Sequence, residues 1–238
     1  MVSSPPRSPL TFLDVPIPAM PPDYNRRLLL QAGTPKPKLE QLKNFSPDEF
    51  EAFVYELVHG YLKDKYIQVS LLAGAGDKGR DIAAYTADPQ VWDLYQCKHY
   101  ANLLAPDDFW VELGKLAFYT SIGTYPTPHR YYLVTSRGTG PSLHDLLREP
   151  KKINALLLAK WNKKCRTGVT ESGAEMTVAL EAHIQAFDFG IVEEIPALKL
   201  IDMHEQTTYH AFRFGGGLRP RPEPELPVWA RHCRPAIA

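Results

Sequence analysis

Apolar residues recur at helical spacing just after residue 46. They are three and four residues apart, at Phe50, Phe53, Val54, Leu57, Val58 and Tyr61. Ser46 is well placed to cap this segment, Pro47 suits the first helical position, and Glu49 completes a capping box. The pattern predicts an amphipathic helix from about residue 47 to residue 62.

Strand-like runs rich in β-branched and aromatic residues follow this helix. They cover about residues 66–72, 80–86, 92–99 and 130–136, and a helix beginning at Pro106 separates the third from the fourth. Further helices are indicated at about 141–147 and 151–163. The resulting order, α-β-β-β-α-β, predicts an α/β protein. Residues 176–180 fit a strand or a helix equally well, and the pattern leaves that choice open.

Composition changes this picture chiefly at the two ends of the chain. The 238 residues are 44% hydrophobic, enough for one globular domain with appendages, and the 22 prolines cluster near the termini. Residues 1–44 are therefore interpreted as a proline-rich arm and residues 215–238 as a Gly/Pro-rich tail, because such segments bury too little apolar surface to fold alone.

The cysteines and the hydropathy of the chain indicate in which cellular compartment the protein lies. Cys97, Cys165 and Cys233 are odd in number and far apart, which argues against a disulfide framework or a structural zinc site. No apolar run approaches the roughly 20 residues of a membrane span, and the N-terminus lacks the apolar core of a signal peptide. We expect a cytoplasmic protein with no membrane contact.

The net charge is zero, but the charges are unevenly distributed. Residues 148–166 hold seven basic residues against one acidic residue, and residues 167–210 hold eight acidic residues against one lysine. One interpretation is a positive field beside a functional site; the other is two solvated faces that compensate each other. The apolar run from Phe187 to Ile201 within the acidic segment needs a cover, either a partner or the core.

Residues 74–79 read Gly-Ala-Gly-Asp-Lys-Gly and satisfy the dinucleotide fingerprint G-x-G-x-x-G. That fingerprint requires a preceding strand and a helix that begins in the loop. A strand is plausible before it, but a second strand follows in place of the helix. The segment is therefore interpreted as a turn between strands, with Asp77 as a turn residue.

A second group of polar residues carries more specific chemistry. Gln96 and Lys98 are two apart on one predicted strand and share a face. Asp81 lies fifteen positions before Gln96, a spacing that suits the start of the neighbouring antiparallel strand. Oxygen ligands without imidazole or thiolate favour Mg²⁺ or Mn²⁺, and a lysine beside such a metal suits phosphodiester hydrolysis. Alone, Lys98 would more often be a solvated lysine of an edge strand.

The residues G-D-K-G-R-D, followed by Q-C-K-H-Y, resemble the motif of Mrr-type restriction endonucleases in the PD-(D/E)xK nuclease superfamily. In that branch glutamine replaces the usual second acid. The similarity covers about residues 45–140, including the Phe50-Glu51 pair and a strand ending in Thr-Ser. It implies a restriction-endonuclease-like αβββαβ core with a mixed sheet over residues 45–166. It also implies Asp81 and Gln96 as metal ligands and Lys98 as the catalytic lysine.

The resemblance also implies a glutamate from the first helix as a further ligand. At 100° per residue, Glu51 lies about 90° from the centre of the apolar stripe, Glu49 about 110° and Glu56 about 130°. Glu49 is already explained as a capping residue. We therefore expect Glu51 to complete the metal site, with Glu56 as the reserve.

The C-terminal part is similar to the tails of effector subunits in ABC-three-component (Lamassu-type) antiphage systems. The residues concerned are the segments 143–150, 201–210 and 213–218. This similarity implies that residues 167–214 form a partner-docking region for an SMC-like ATPase subunit.

The oxygen ligands beside a lysine and the resemblance to Mrr-type nucleases together predict a magnesium-dependent DNA endonuclease. The second resemblance implies an antiviral defence effector. Cutting both strands needs two sites, so we expect a homo-oligomer when active. The family usually leaves 5′-phosphate ends. Two alternatives remain open: a catalytically inactive nuclease fold that binds DNA or acts as a scaffold, and an RNA- or junction-directed nuclease on the same core. His99 and Tyr100 are candidates for phosphate contact, or they simply extend the strand.

Overall fold

A five-stranded sheet forms the centre of the protein, seen in a computed structural model that describes residues 36–72, 76–88 and 90–215. The strands are β1 (Gln68–Leu71), β2 (Ile82–Tyr85), β3 (Trp92–Lys98), β4 (Arg130–Thr135) and β5 (Val192–Ile195). They lie side by side in chain order. The first three pair antiparallel, whereas β3, β4 and β5 pair parallel. The predicted α/β class and mixed sheet are confirmed.

Helices cover both faces of this sheet. They are α1 (Lys38–Lys43), α2 (Pro47–Tyr61), α3 (Pro106–Ser121), α4 (Pro141–Leu147), α5 (Pro150–Lys160), α6 (Arg166–Val169), α7 (Val178–Ala186), α8 (Ala197–Glu205) and α9 (His210–Phe214). A π-helical turn, Trp161–Cys165, joins α5 to α6. Within the described ranges, no helix has both the length and the apolar character that a membrane span requires.

The first turn of α2 forms as its sequence predicts. The Glu49 amide donates to Ser46 Oγ at 3.1 Å, and the Ser46 amide donates to Glu49 Oε2 at 2.7 Å. These reciprocal bonds satisfy two amides that the helix itself cannot bond. The start of α2, and with it the position of Glu51 one turn further on, is therefore fixed by local sequence.

The sheet separates two hydrophobic clusters. On one face α2 packs with α1 and α8, and its buried side chains include Phe50, Phe53 and Leu57. On the other face α3 packs with α5 and α7, where Trp110 and Trp161 are among the largest buried side chains. Polar side chains at the ends of the strands therefore lie between two well-covered layers.

Residues 167–214 are integrated into this architecture. They supply β5, which pairs with β4, and the helices α7, α8 and α9. Most of the apolar run that needed a cover is buried in the two hydrophobic clusters of this same chain, while Leu198 remains 62% exposed. The segment is thus part of the folded domain, and a docking role for it stays a prediction. Most of the arm (1–35) and nearly all of the tail (216–238) lie outside the described residues.

Candidate active site

The β2–β3 hairpin brings Asp81 and Gln96 together. Ile82 pairs with Tyr95 in the antiparallel register, so the residue before β2 lies opposite Gln96. Gln96 Nε2 donates to Asp81 Oδ2 at 2.7 Å, and the Cys97 amide donates to the same oxygen at 2.6 Å. The proximity expected from the fifteen-residue spacing is confirmed. Cys97 is buried beside them, as expected for a small core residue.

Two oxygen atoms at this junction are left without a donor. Gln96 is 2% exposed, and its buried Oε1 atom has no hydrogen-bond partner in the part of the chain that the structure describes. Both hydrogen bonds to Asp81 fall on Oδ2, and Oδ1 accepts none from any residue in the described ranges. Because native buried polar atoms are nearly always satisfied, this amide oxygen beside a carboxylate is available to a water molecule or a cation.

The surroundings of Asp81 strongly raise the pKa of its carboxyl group. Burial raises the pKa of this carboxyl to about 7, against the opposing effects of the Cys97 amide and the Lys98 ammonium. The negative charges of Glu51 and Glu112 contribute to the increase. A cation at this position would relieve that cost, since a positive charge stabilises the ionised carboxylate.

Lys98 forms an ion pair that the sequence did not indicate. Its Nζ donates to Glu112 Oε1 of α3 at 2.7 Å, and Lys115 Nζ lies 3.6 Å from the other oxygen of the same carboxylate. Burial alone would lower the pKa of Lys98, but the adjacent Glu112, together with Asp81, more than compensates, and the pKa is raised. Lys98 is therefore an ammonium ion held in a fixed direction.

Glu112 could have been found from its position on α3. It lies three residues after Phe109 and four before Leu116, both of which are buried on the apolar face of that helix. A carboxylate on an apolar stripe requires a partner. The sequence does not tell which lysine supplies it, because β3 and α3 meet only in the folded chain.

The two candidate glutamates of α2 have different surroundings. Burial, together with Asp48 and Asp77, raises the pKa of Glu51, and Lys98 acts in the opposite direction. Glu51 therefore lies within electrostatic reach of Lys98 and of Asp81, but no direct bond joins it to Asp81, Gln96 or Lys98. The structure brings it beside the site without completing a ligand set.

Glu56 is engaged elsewhere. It is 3% exposed and accepts bonds from Arg213 at 2.7 and 3.0 Å, with His204 Nε2 at 3.2 Å. Although Glu51 lies nearer the centre of the apolar stripe, Glu56 is the more buried of the two, because α8 and α9 cover the side of α2 that carries Glu56. A reserve role for Glu56 in metal binding is incompatible with these contacts.

The loop before Asp81 packs closely on α3. Asp77 is the turn residue predicted, since its Oδ1 accepts the Gly79 amide at 2.8 Å. Gly79 has φ +78°, and a Cβ there would lie 2.9 Å from the Lys115 side chain. Both features exclude larger residues at this position. The first two residues of the G-x-G-x-x-G run lie outside the described residues.

The donor set defines what this site can hold. Among residues 36–72, 76–88 and 90–215, no three His, Cys, Asp or Glu side chains form a group able to bind a metal ion. The fit therefore depends on the Asp81 carboxylate and the orphaned Gln96 Oε1, both hard oxygen ligands that suit Mg²⁺ or Mn²⁺. Glu51 is the nearby carboxylate on α2 that could add a third.

A cavity of about 590 Å³ lies apart from these residues. It is lined by the C-terminal half of α2, the start of β1 and the turn at 206–209, and none of the candidate site residues contributes to it. Catalytic side chains do not converge there. The junction of β2, β3 and α3 therefore remains the stronger candidate for chemistry.

Comparisons of the chain with protein-family models, with curated proteins and with solved structures give no significant match. The functional assignment therefore depends on the geometry of Asp81, Gln96, Lys98 and their neighbours.

Proposed function

We propose that this protein is a metal-dependent endonuclease that hydrolyses phosphodiester bonds in DNA. One observation carries the proposal: the buried Gln96 Oε1 atom has no partner, and it lies beside the Asp81 carboxylate. Lys98 shares its strand face and supplies a positive charge. This combination supports a site built for a divalent cation and a phosphate rather than for a structural ion pair.

Each residue has a distinct role in this proposal. Asp81 and Gln96 would hold Mg²⁺ or Mn²⁺, with Glu51 as the further ligand from α2. When bound, the metal would stabilise negative charge on the phosphoryl oxygen. The hydrogen bond from Gln96 Nε2 to Asp81 fixes the orientation of the amide and leaves its buried Oε1 as the atom that would bind the metal.

Lys98 acts as a hydrogen-bond donor. Its raised pKa keeps the amine protonated, so it orients the attacking water or a phosphate oxygen and does not remove a proton. Glu112 fixes the direction of the ammonium group through its 2.7 Å contact. We therefore assign Glu112 as a positioning residue.

The proposed substrate, oligomeric state and partner follow from the two sequence resemblances. The similarity to Mrr-type nucleases favours DNA as substrate and a homo-oligomer for cutting both strands. The similarity of the C-terminal part to Lamassu-type effectors favours an SMC-like ATPase partner. A catalytically inactive scaffold is the second candidate, and the convergence of Asp81, Gln96 and Lys98 argues against it.

The proposal is tested by one pair of variants in two assays. Asp81→Asn should lose Mn²⁺ binding by calorimetry and plasmid cleavage in Mg²⁺, with its fold retained. Asp107→Asn is the matched control, because that carboxylate pairs with Lys160 and Lys164 at the surface. Mn²⁺ binding and cleavage by Asp81→Asn at the control's level would contradict the proposal. DNA binding without cleavage by the wild type, in the presence of the partner, would favour the scaffold.

A further inference from the structure

The ends of β3 and β4 form a second polar site beside the first. The two strands are parallel, Lys98 pairs with Thr135, and the Ser136 amide donates to the Lys98 carbonyl at 3.3 Å. The next residues, His99 and Ser136, therefore lie side by side where both strands end.

Side-chain direction places His99 and Ser136 on the face of the sheet that α2 covers. Cys97 and Val134, each two residues earlier, are both buried in the cluster on that face. The ring of His99 contacts the ring of Phe50 from α2, with centroids 5.5 Å apart. The pair is thus distinct from Gln96 and Lys98, which face α3.

Three buried polar atoms in this region have no hydrogen-bond partner among the described residues: His99 Nε2, Ser136 Oγ and Arg137 Nε. Ser136 is 0% exposed. Within the described ranges, Arg137 also forms no ion pair with a carboxylate. Three unsatisfied polar atoms at the ends of two neighbouring strands are expensive unless water or a ligand satisfies them.

The loop that carries Ser136 and Arg137 is held in one conformation. Thr135 Oγ1 accepts the Gly138 amide at 2.7 Å, and Gly138 adopts φ +87°, which favours glycine. The Thr139 hydroxyl donates to Glu194 Oε2 at 2.6 Å, and the Leu104 amide donates to the Gly138 carbonyl at 3.0 Å. The orphaned atoms are therefore preorganised and are not the result of a loose loop.

The chemistry of these atoms selects an anion. A guanidinium, a hydroxyl and an imidazole N–H are all donors, and the guanidinium repels a cation. A tetrahedral phosphate offers several oxygens to accept from all three. The site lies beyond Lys98 at the edge of the sheet. It is two strand spacings from Asp81 across the sheet and three residues further along the strands, roughly 14 Å in all.

We propose that His99, Ser136 and Arg137 bind a backbone phosphate of the substrate strand near the phosphate that is cleaved. The proposal rests on the proposed nuclease function and deepens it by assigning a subsite for substrate. The pocket would fix the register of the strand, so that the scissile phosphate lies against Lys98 and Asp81.

The test measures DNA affinity without cleavage, in EDTA, as a function of salt concentration. Arg137→Gln should weaken binding of a short duplex at least about tenfold and reduce the salt slope by about one, as expected for one lost phosphate contact. Ser136→Ala should weaken binding about tenfold, as expected for the loss of one hydrogen bond to a charged group.

Two controls separate binding from folding. Arg130→Gln removes an arginine from the opposite end of β4, where it pairs with Glu193 at 3.3 Å, and should leave DNA affinity unchanged. Ser136→Ala should keep or raise the melting temperature, because it removes an unsatisfied buried hydroxyl. A purely structural serine would instead show lower stability with unaltered affinity per folded molecule.

A parallel titration with inorganic phosphate identifies the source of the ligand. Equal DNA affinity in wild type, Arg137→Gln and Ser136→Ala would overturn the subsite, even if plasmid cleavage in Mg²⁺ upholds the nuclease. Binding of inorganic phosphate that Arg137→Gln abolishes, with no binding of DNA, would overturn the phosphodiester assignment and the nuclease proposal together, and would leave a site for free phosphate. Loss of DNA affinity in these two variants, but not in Arg130→Gln, supports the subsite.

Discussion

Replacing Glu56 by alanine should destabilise the protein far more than any change at Glu51. Glu56 holds the two N–H donors of Arg213 at 2.7 and 3.0 Å and lies 3.2 Å from His204, which is fully buried. These bonds from His204 and Arg213 lower the pKa of Glu56 although burial alone would raise it. The carboxylate is therefore stabilised by its neighbours in the folded state.

The expected loss of stability follows from the Arg213 charge that Glu56→Ala leaves without its partner. Removing one partner of a buried ion pair leaves the other charge unsatisfied and costs about 3–5 kcal/mol. The Arg213 side chain is 21% exposed and recovers some hydration, so we expect the lower end, about 3 kcal/mol. For a domain of this size, that corresponds to a fall in melting temperature of roughly 6–12 °C.

Glu51→Gln provides the matched control on the same helix. Burial and the nearby Asp48 and Asp77 raise the pKa of Glu51, so its charge opposes folding at neutral pH. The amide should leave stability unchanged or slightly higher, while DNA cleavage falls. Thermal and urea unfolding of both variants measure the difference directly.

The reasoning would be refuted if Glu56→Ala melted within about 2 °C of the wild type, or if Glu51→Gln melted as far below it as Glu56→Ala. The first result would show that the Arg213 contact contributes little. The second would show that Glu51 is a structural residue rather than a ligand.

Three further outcomes are expected. EDTA should stop cleavage and excess Mg²⁺ or Mn²⁺ should restore it, because the proposed ligands are hard oxygens; activity in excess chelator would exclude this site. Burial lowers the pKa of His204, whereas the unfolded chain takes up this proton near pH 6.5. The free energy of unfolding of wild type should therefore exceed that of His204→Gln by less as the pH falls from 7 to 5, as measured by urea unfolding. A difference that stays constant with pH would contradict this assignment. Deletion of 211–238 should weaken capture of the proposed partner subunit and should also destabilise the fold, since it removes Arg213 and the buried Phe214. Full retention of the partner by this truncated protein would count against docking through the C-terminal residues.

Structural features that depend on residues close together in the chain could be predicted from the sequence. The start of α2 follows from Ser46, Pro47 and Glu49, which bond to one another across a single turn. The approach of Asp81 to Gln96 follows from the length of one hairpin, which fixes register over short range. Both depend on contacts between elements that are adjacent in the chain.

Features that depend on distant segments could not be predicted. Glu56 resembles a solvent-facing residue when α2 is considered alone, and it is buried because Arg213 and His204 arrive from 148 or more positions later. The pair formed by Lys98 and Glu112 likewise requires α3 to pack across β3 at one particular position along the strand. The helical pattern predicts which face of α3 is buried, but it does not predict where along β3 that face packs.

The central claim is tested most directly by Mg²⁺-dependent plasmid cleavage, with the proposed partner subunit present, by wild type, Lys98→Ala and Lys115→Ala. Both lysines contact Glu112, at 2.7 and 3.6 Å, but only Lys98 shares a strand face with Gln96 beside Asp81. Lys98→Ala should lose at least about a hundredfold in cleavage rate, since it removes the donor directed at the phosphate and water. Lys115→Ala should stay within a few fold of wild type. Wild-type cleavage by a correctly folded Lys98→Ala protein would contradict the account.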